Sequence, residues 1–135
     1  MDALHILITG ASGGIGEATA LRLAQPSTRY TVKTLVLHYN SNSSKTQRIT
    51  EEIRKLNPDI RVAWLQADLG SADAVERLHR ESVAAAGAPI NVLFANAGTT
   101  GGRTYYACIY HPYNSQTIQP ELSLSYTHTH THTYI

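Results

Sequence analysis

Apolar positions change their period repeatedly along the first hundred residues. Leu4 to Thr9 is a short, nearly continuous apolar run followed at once by glycines, the mark of a buried strand. Residues 14–25 then read as a helix, with Ile15, Ala18, Leu21 and Ala24 on one broad face and Pro26 as its stop. Thr34 to Tyr39 is rich in β-formers and bounded by the polar stretch Asn40 to Ser44. Residues 44–56 return to helical spacing through Ile49, Ile53 and Leu56, closed by Asn57-Pro58. Ile60 to Gln66 reads as a third strand. Ser71 is placed to cap a third helix, which turns Val75, Leu78 and Val83 inward and ends near Gly87. Ile90 to Ala95 is a fourth strand.

The order is β-α-β-α-β-α-β. Apolar strands alternating with helices predict an α/β fold with a parallel sheet and right-handed crossovers. A doubly wound sheet is ordered 3-2-1-4-5-6, so this chain is expected to supply 3-2-1-4 and to be truncated after the fourth strand. Ile90 to Ala95 would then form an open, flat, apolar edge.

The pattern does not continue to the end. Of the 21 charged residues only Glu121 lies beyond residue 103, whereas six of the eight tyrosines do. The last stretch carries Leu122-Ser123-Leu124-Ser125 and then Thr127-His128-Thr129-His130-Thr131-His132-Thr133. A CT repeat is translated as Leu-Ser and a CA repeat as Thr-His, so translated non-coding sequence is the expected origin. The expected organisation is therefore a folded unit over 1–103 and an unrelated, low-complexity, disordered tail over 104–135.

Hydrophobic residues make up 42% of the 135 positions and charged ones 16%, with a formal net charge of +1. That is enough apolar material for a core. It is too little clustered positive charge for non-specific nucleic-acid binding. No apolar run approaches the ~20 residues that cross a bilayer, and Met1-Asp2-Ala3-Leu4-His5 has no signal-peptide character. One cysteine, Cys108, excludes an internal disulfide framework. A reducing, cytoplasmic setting is the expectation, with no membrane and no nucleic-acid partner.

The strongest chemical signal is Thr9-Gly10-Ala11-Ser12-Gly13-Gly14-Ile15-Gly16, between the first strand and the first helix. Glycines allow a backbone to approach a ligand closely, and a helix N-terminus offers free N–H groups and the positive end of a dipole. Together they suit a pyrophosphate. An ordinary glycine-rich turn is the alternative, and the strand-turn-helix context weighs against it.

Three motifs resemble the classical short-chain dehydrogenases/reductases. Thr9, Gly10, Gly14 and Gly16 match T-G-x3-G-x-G. Ala95-Asn96-Ala97-Gly98 matches N-N-A-G, with Ala95 departing from the first Asn. Asp68 in Ala67-Asp68-Leu69 matches the acidic residue after the third strand. The resemblance covers residues ~3–102 and is closest in flavour to the 3-oxoacyl reductase-like branch. It implies a Rossmann-like fold, a nicotinamide dinucleotide as ligand, and hydride transfer to or from a carbonyl or alcohol. Carried over residue by residue, Gly10, Ser12, Gly13, Gly14, Ile15 and Gly16 would surround the pyrophosphate and adenosine ribose. Asp68 and Leu69 would hold the adenine. Asn96, Ala97 and Gly98 would pass under the cofactor ribose, braced by Thr9. Family members oligomerise, through elements missing from this chain.

The end of the second strand decides between cofactors. An acidic residue there binds the 2′-OH of NAD. This chain has His38-Tyr39-Asn40-Ser41-Asn42-Ser43-Ser44-Lys45, with no carboxylate. Asn40 and Ser41 could donate to a 2′-phosphate and Lys45 could add charge, which favours NADP over NAD. The family's proton-transferring Tyr-x3-Lys pair is absent: the lysines are Lys33, Lys45 and Lys55. No catalytic residue is therefore assigned. A non-catalytic NADP-binding module and a functionless truncated product stand as the rival readings. His128, His130 and His132 could chelate a metal if extended, but repeat translation is the better account. Asn42-Ser43-Ser44 matches a glycosylation acceptor without a secretory context, and Cys108 reads as a plain thiol.

Overall fold

The structure, a computed structural model, describes residues 3–98. The expectations for residues 104–135, including Cys108 and the three tail histidines, lie outside the described residues. Seven elements alternate as the sequence predicts: β1 (Ala3–Ile8), α1 (Gly14–Ala24), β2 (Thr31–Tyr39), α2 (Ser43–Leu56), β3 (Arg61–Gln66), α3 (Ala72–Ala86) and β4 (Val92–Phe94). The sheet is parallel throughout and ordered β3-β2-β1-β4.

Strand alternation divides the core into two layers. Ile6, Ile8, Leu35 and Leu37 face α1 and α2, where they meet Ala20, Ala24, Ile49 and Ile53. Leu7 and Val36 face the other way, toward Leu78 and Ala86 of α3. The right-handed crossover rule accounts for this. The chain moves β1→β2→β3 in one direction, which puts α1 and α2 on one face. It then returns past β1 to β4, which puts α3 on the other.

Capping follows the chemistry of the boundary residues. The Asn42 side chain accepts the Lys45 N–H at 3.1 Å at the start of α2, and Ser71 accepts the Ala74 N–H at 3.4 Å at the start of α3. Gly87, left-handed at φ +67°, closes α3. Buried hydroxyls within helices bond back one turn, Thr50 to the Thr46 carbonyl at 2.9 Å and Ser82 to Leu78 at 2.6 Å.

The expected helix faces hold at Leu21, Ala24, Ile49, Ile53, Leu78 and Val83 and are corrected at Ile15, Ala18, Leu56 and Val75. In α1 the buried positions are Gly16, Ala20 and Ala24, while Ile15 is 70% exposed and Ala18 is exposed. Helix and sheet come closest along the small residues, so the larger Ile15 is turned away. In α2 the buried stripe is Thr46, Ile49, Thr50 and Ile53, and Leu56 sits exposed on the last turn. In α3, Leu78, Ser82 and Ala86 are buried, with Ala74 and Val83 beside them and Val75 half-buried.

The fourth strand is also shorter than expected. Upstream of it, Asn91 replaces ladder bonds with its side chain: Oδ1 accepts the His5 N–H and Nδ2 donates to the Ala3 carbonyl, each at 2.8 Å. The edge is mixed, with Val92 exposed and Leu93 and Phe94 half-buried.

Candidate functional site

The strand order reverses at β1: the chain runs outward from β1 to β3 with α1 and α2 on one face, then returns through α3 on the other face to β4 on the far side of β1. In open α/β sheets the crevice beyond the carboxyl ends of such strands is where ligands bind. Thr9 to Gly14 leaves β1 at this point, and Ala95 to Gly98 leaves β4 beside it.

Gly10 is left-handed at φ +64°, and a Cβ there would lie 2.8 Å from the Cα of Ala97. Two backbones therefore pass closer than any side chain allows. Gly16 is equally constrained, because a Cβ on it would overlap the Gly10 carbonyl oxygen and lie 2.9 Å from both Ala11 Cα and Asn96 Nδ2. Gly14 differs. A Cβ there meets nothing within 4 Å among the described residues, so none of them requires glycine. Gly13 is the N-cap of α1 and provides no side-chain cap, unlike Asn42 and Ser71. Helix α1 thus begins with backbone N–H groups bare of side chain, with Ser12 half-buried beside them and Ile15 exposed.

The segment after β4 is tied to the turn by Thr9 and Asn96. Thr9 Oγ1 accepts the N–H groups of Asn96 and Ala97, each at 3.0 Å. Asn96 Nδ2 donates to the carbonyls of Thr9 at 3.2 Å and Gly10 at 3.1 Å. This aligns Ala97 and Gly98, both exposed, along the crevice.

Asp68 lies exposed where β3 gives way to α3. Its Oδ1 accepts the Gly70 N–H at 2.9 Å, while Leu69 tucks against the apolar layer under α3. Asn40 and Ser41, at the end of β2, are exposed. Lys45 is engaged: its Nζ lies 2.8 Å from Glu17 Oε2, and Arg48 Nη2 lies 2.8 Å from the other oxygen of that carboxylate. Two cations thus share one anion in the first turn of α1. Lys33, by contrast, stands at the start of β2, far along the strand from the crevice, and Lys55 is in the last turn of α2.

Sequence reasoning missed His38. It is 2% exposed, and its Nδ1 accepts the Gly10 N–H at 3.1 Å. Nε2 therefore carries the proton and donates to the Ala67 carbonyl at 3.0 Å. Its own carbonyl accepts the Ala11 N–H at 2.9 Å. Burial holds its pKa below the usual histidine value, against a smaller upward pull from the Ala67 carbonyl. The available signal was a lone histidine on the inward alternation of an apolar strand.

Comparison with known proteins gives the following. A family model described as short chain dehydrogenase matches residues 4–119. An uncharacterized oxidoreductase of Bacillus subtilis is 31% identical over 118 residues, 87% of this chain and 43% of that protein. A 3-oxoacyl-acyl-carrier-protein reductase of Staphylococcus aureus is 36% identical over 94 residues, 70% of this chain and 35% of that protein. Among solved structures, a dehydrogenase/reductase from Sinorhizobium meliloti superposes with TM-score 0.59 at 32% identity, covering 72% of this chain and 36% of its own. An NADH-dependent reductase complexed with NAD superposes with TM-score 0.55 at 28% identity, covering 68% and 35%. The chain spans 43% and 35% of the lengths of these two curated relatives.

Proposed function

The chain belongs to the short-chain dehydrogenases, and on that premise we propose that its crevice holds a nicotinamide dinucleotide, NADP ahead of NAD. The single observation that carries this reading is the start of α1. It is a helix N-terminus without a side-chain cap at the switch point, where a Cβ on Gly14 would meet none of the described residues within 4 Å. An anion placed there meets free N–H groups and the helix dipole, an interaction typically worth about 0.3–1 kcal/mol for the dipole alone.

The residues present fit the group. Gly13, Gly14, Ile15 and Gly16 would receive the pyrophosphate on backbone N–H groups, with Gly10 and Ser12 completing the turn. Asp68 and Leu69 would flank the adenine. Asn96, Ala97 and Gly98 would run beneath the nicotinamide-side ribose, with Thr9 holding them. When bound, the dinucleotide supplies hydride for a carbonyl or accepts it from an alcohol; the protein's task here is to bind and orient.

The preference for NADP rests on the end of β2. No carboxylate stands there to accept from a 2′-OH, and Asn40 and Ser41 are exposed polar groups able to donate. Lys45 and Arg48 outnumber Glu17, so the charge they share is net positive. The NADH-dependent relative keeps NAD as the second reading. We further propose that this chain binds its cofactor without turning over a substrate, since no Tyr-x3-Lys occurs after Gly98. The whole-length relatives' oxidoreductase chemistry would then belong to a chain that carries that pair.

Calorimetric titration with NADP(H) and NAD(H) tests the reading. NADP(H) is expected to bind more tightly, and Gly14→Asp to abolish binding of both by placing bulk and negative charge at the helix start. Equal binding by Gly14→Asp, or tighter NAD(H), would overturn it.

A further inference from the structure

His38 stands one residue before the end of β2, in a run whose other buried members include Leu35, Val36 and Leu37. Packing alone would take an apolar side chain there at lower cost, because a buried imidazole must satisfy two ring nitrogens. Both are satisfied, and by different loops. Nδ1 takes the N–H of Gly10 in the turn after β1, and Nε2 gives its proton to the carbonyl of Ala67 after β3. The His38 carbonyl holds the next N–H of the same turn, that of Ala11.

We propose that His38 is a positioning residue for dinucleotide binding, clamping the glycine turn to the Ala67–Asp68 segment. The inference rests on the reading of the crevice as a dinucleotide cradle. The two clamped loops are the ones assigned to opposite ends of the adenosine half: the turn to the pyrophosphate, Asp68 and Leu69 to the base. The ligand must span both, so their separation sets how well one molecule fits both at once. By consuming the Gly10 N–H, the ring also fixes the left-handed residue from which the turn swings toward α1. An apolar residue at 38 leaves the Gly10 N–H and the Ala67 carbonyl without partners and the two loops free to drift.

Three substitutions separate the parts. His38→Asn places a carbonyl oxygen near the Nδ1 position, His38→Gln places an amide near Nε2, and His38→Leu retains only volume. NADPH and NADH binding to the full chain is followed by energy transfer from Trp64, the single tryptophan. Melting curves are recorded in parallel. Expected is a loss of NADPH affinity of about tenfold or more in His38→Leu, with His38→Asn and His38→Gln, which each keep one of the two loop contacts, falling between His38→Leu and wild type. This order should hold well below each variant's melting temperature, where a purely structural role has no effect on affinity. Wild-type affinity in His38→Leu, or affinity that follows melting temperature and not the polar atom retained, would overturn the proposal. If His38→Leu fails to fold, His38→Asn or His38→Gln binding as tightly as wild type overturns it. A wild-type chain that binds neither nucleotide overturns the cradle reading itself, and this inference with it.

Discussion

The hydroxyl of Thr9 accepts the backbone N–H of Asn96 at 3.0 Å, joining the ends of β1 and β4 across 87 positions of chain. The same oxygen takes the Ala97 N–H, so one side chain positions two consecutive peptide groups at the crevice.

Removing that oxygen leaves two part-buried N–H groups unpaired. Thr9→Ala and Thr9→Val should therefore destabilise the fold by about 1–3 kcal/mol, with Thr9→Ser recovering most of the loss. Urea unfolding of the four proteins checks this. A midpoint for Val at or above that of Ser would show that the hydroxyl is not what holds the fold.

Glycines in the same turn should respond in opposite ways. Gly16→Ala drives a methyl into the Gly10 carbonyl and the Asn96 amide, and should cost about 1–3 kcal/mol as overpacking. Gly14→Ala meets only open space and should leave stability unchanged or raise it by up to about 1 kcal/mol through helix propensity. Yet Gly14→Ala should weaken nucleotide binding, because the methyl points where the ligand would lie. Denaturation and calorimetry on the same two variants give both readouts.

His38 predicts a pH dependence of stability with a definite sign. Its pKa is lowered in the folded protein, first by desolvation. As pH falls through the ordinary value of 6.5, the unfolded chain takes up a proton that the native state still refuses. The contribution is therefore fully present above 6.5, is lost as pH drops toward the native value, and falls no further below it. Unfolding free energies at about pH 7.5 and about pH 5, in wild type and His38→Asn, isolate it. The wild type should lose more stability on acidification; equal losses would assign the dependence elsewhere.

Glu17 holds both Lys45 and Arg48. The Glu17 and Lys45 side chains are half-buried and Arg48 is exposed; surface pairs contribute about 0–1 kcal/mol, so Glu17→Gln should move the unfolding midpoint only a little. It should, however, free two cations near the end of β2 and remove a negative charge. The ratio of NADPH to NADH affinity should rise severalfold, most at low salt. An unchanged ratio would place the 2′-phosphate away from this cluster.

Turnover should be absent in the 135-residue chain. Holding a nicotinamide against a substrate carbon contributes up to about 7–11 kcal/mol, and a positioned proton donor about 10²–10⁴-fold. Lys45, the lysine nearest the crevice, already faces Glu17. NADPH consumption over a panel of ketones and 3-oxoacyl thioesters should stay at background. Activity that vanishes in Gly14→Asp would require a proton donor outside the Tyr-x3-Lys pattern.

Local information was sufficient for the elements and for their order. The switch between a period near 2 and one near 3.6 located four strands and three helices. Pro26, Asn57-Pro58, Ser71 and Gly87 marked boundaries because each acts within its own turn of chain. The glycine turn was legible for the same reason, and the crossover rule then converted the alternation into the order β3-β2-β1-β4. What the sequence did not determine is which face of a weakly amphipathic helix goes inward and which distant groups pair. Helix α1 carries apolar residues nearly all round, so the pattern placed Ala24 inward correctly but only contact with the sheet selected Gly16 and Ala20 over Ile15 and Ala18. Gly10 is needed because Ala97 passes 2.8 Å from where its Cβ would be, and no local pattern encodes that approach. His38 looked like one more residue of a strand; its meaning comes from Gly10 and Ala67, which lie 28 and 29 positions away and reach it only when the sheet closes. Periodicity is a property of neighbours along the chain, whereas hydrogen-bond partners and close backbone approaches are properties of neighbours in space.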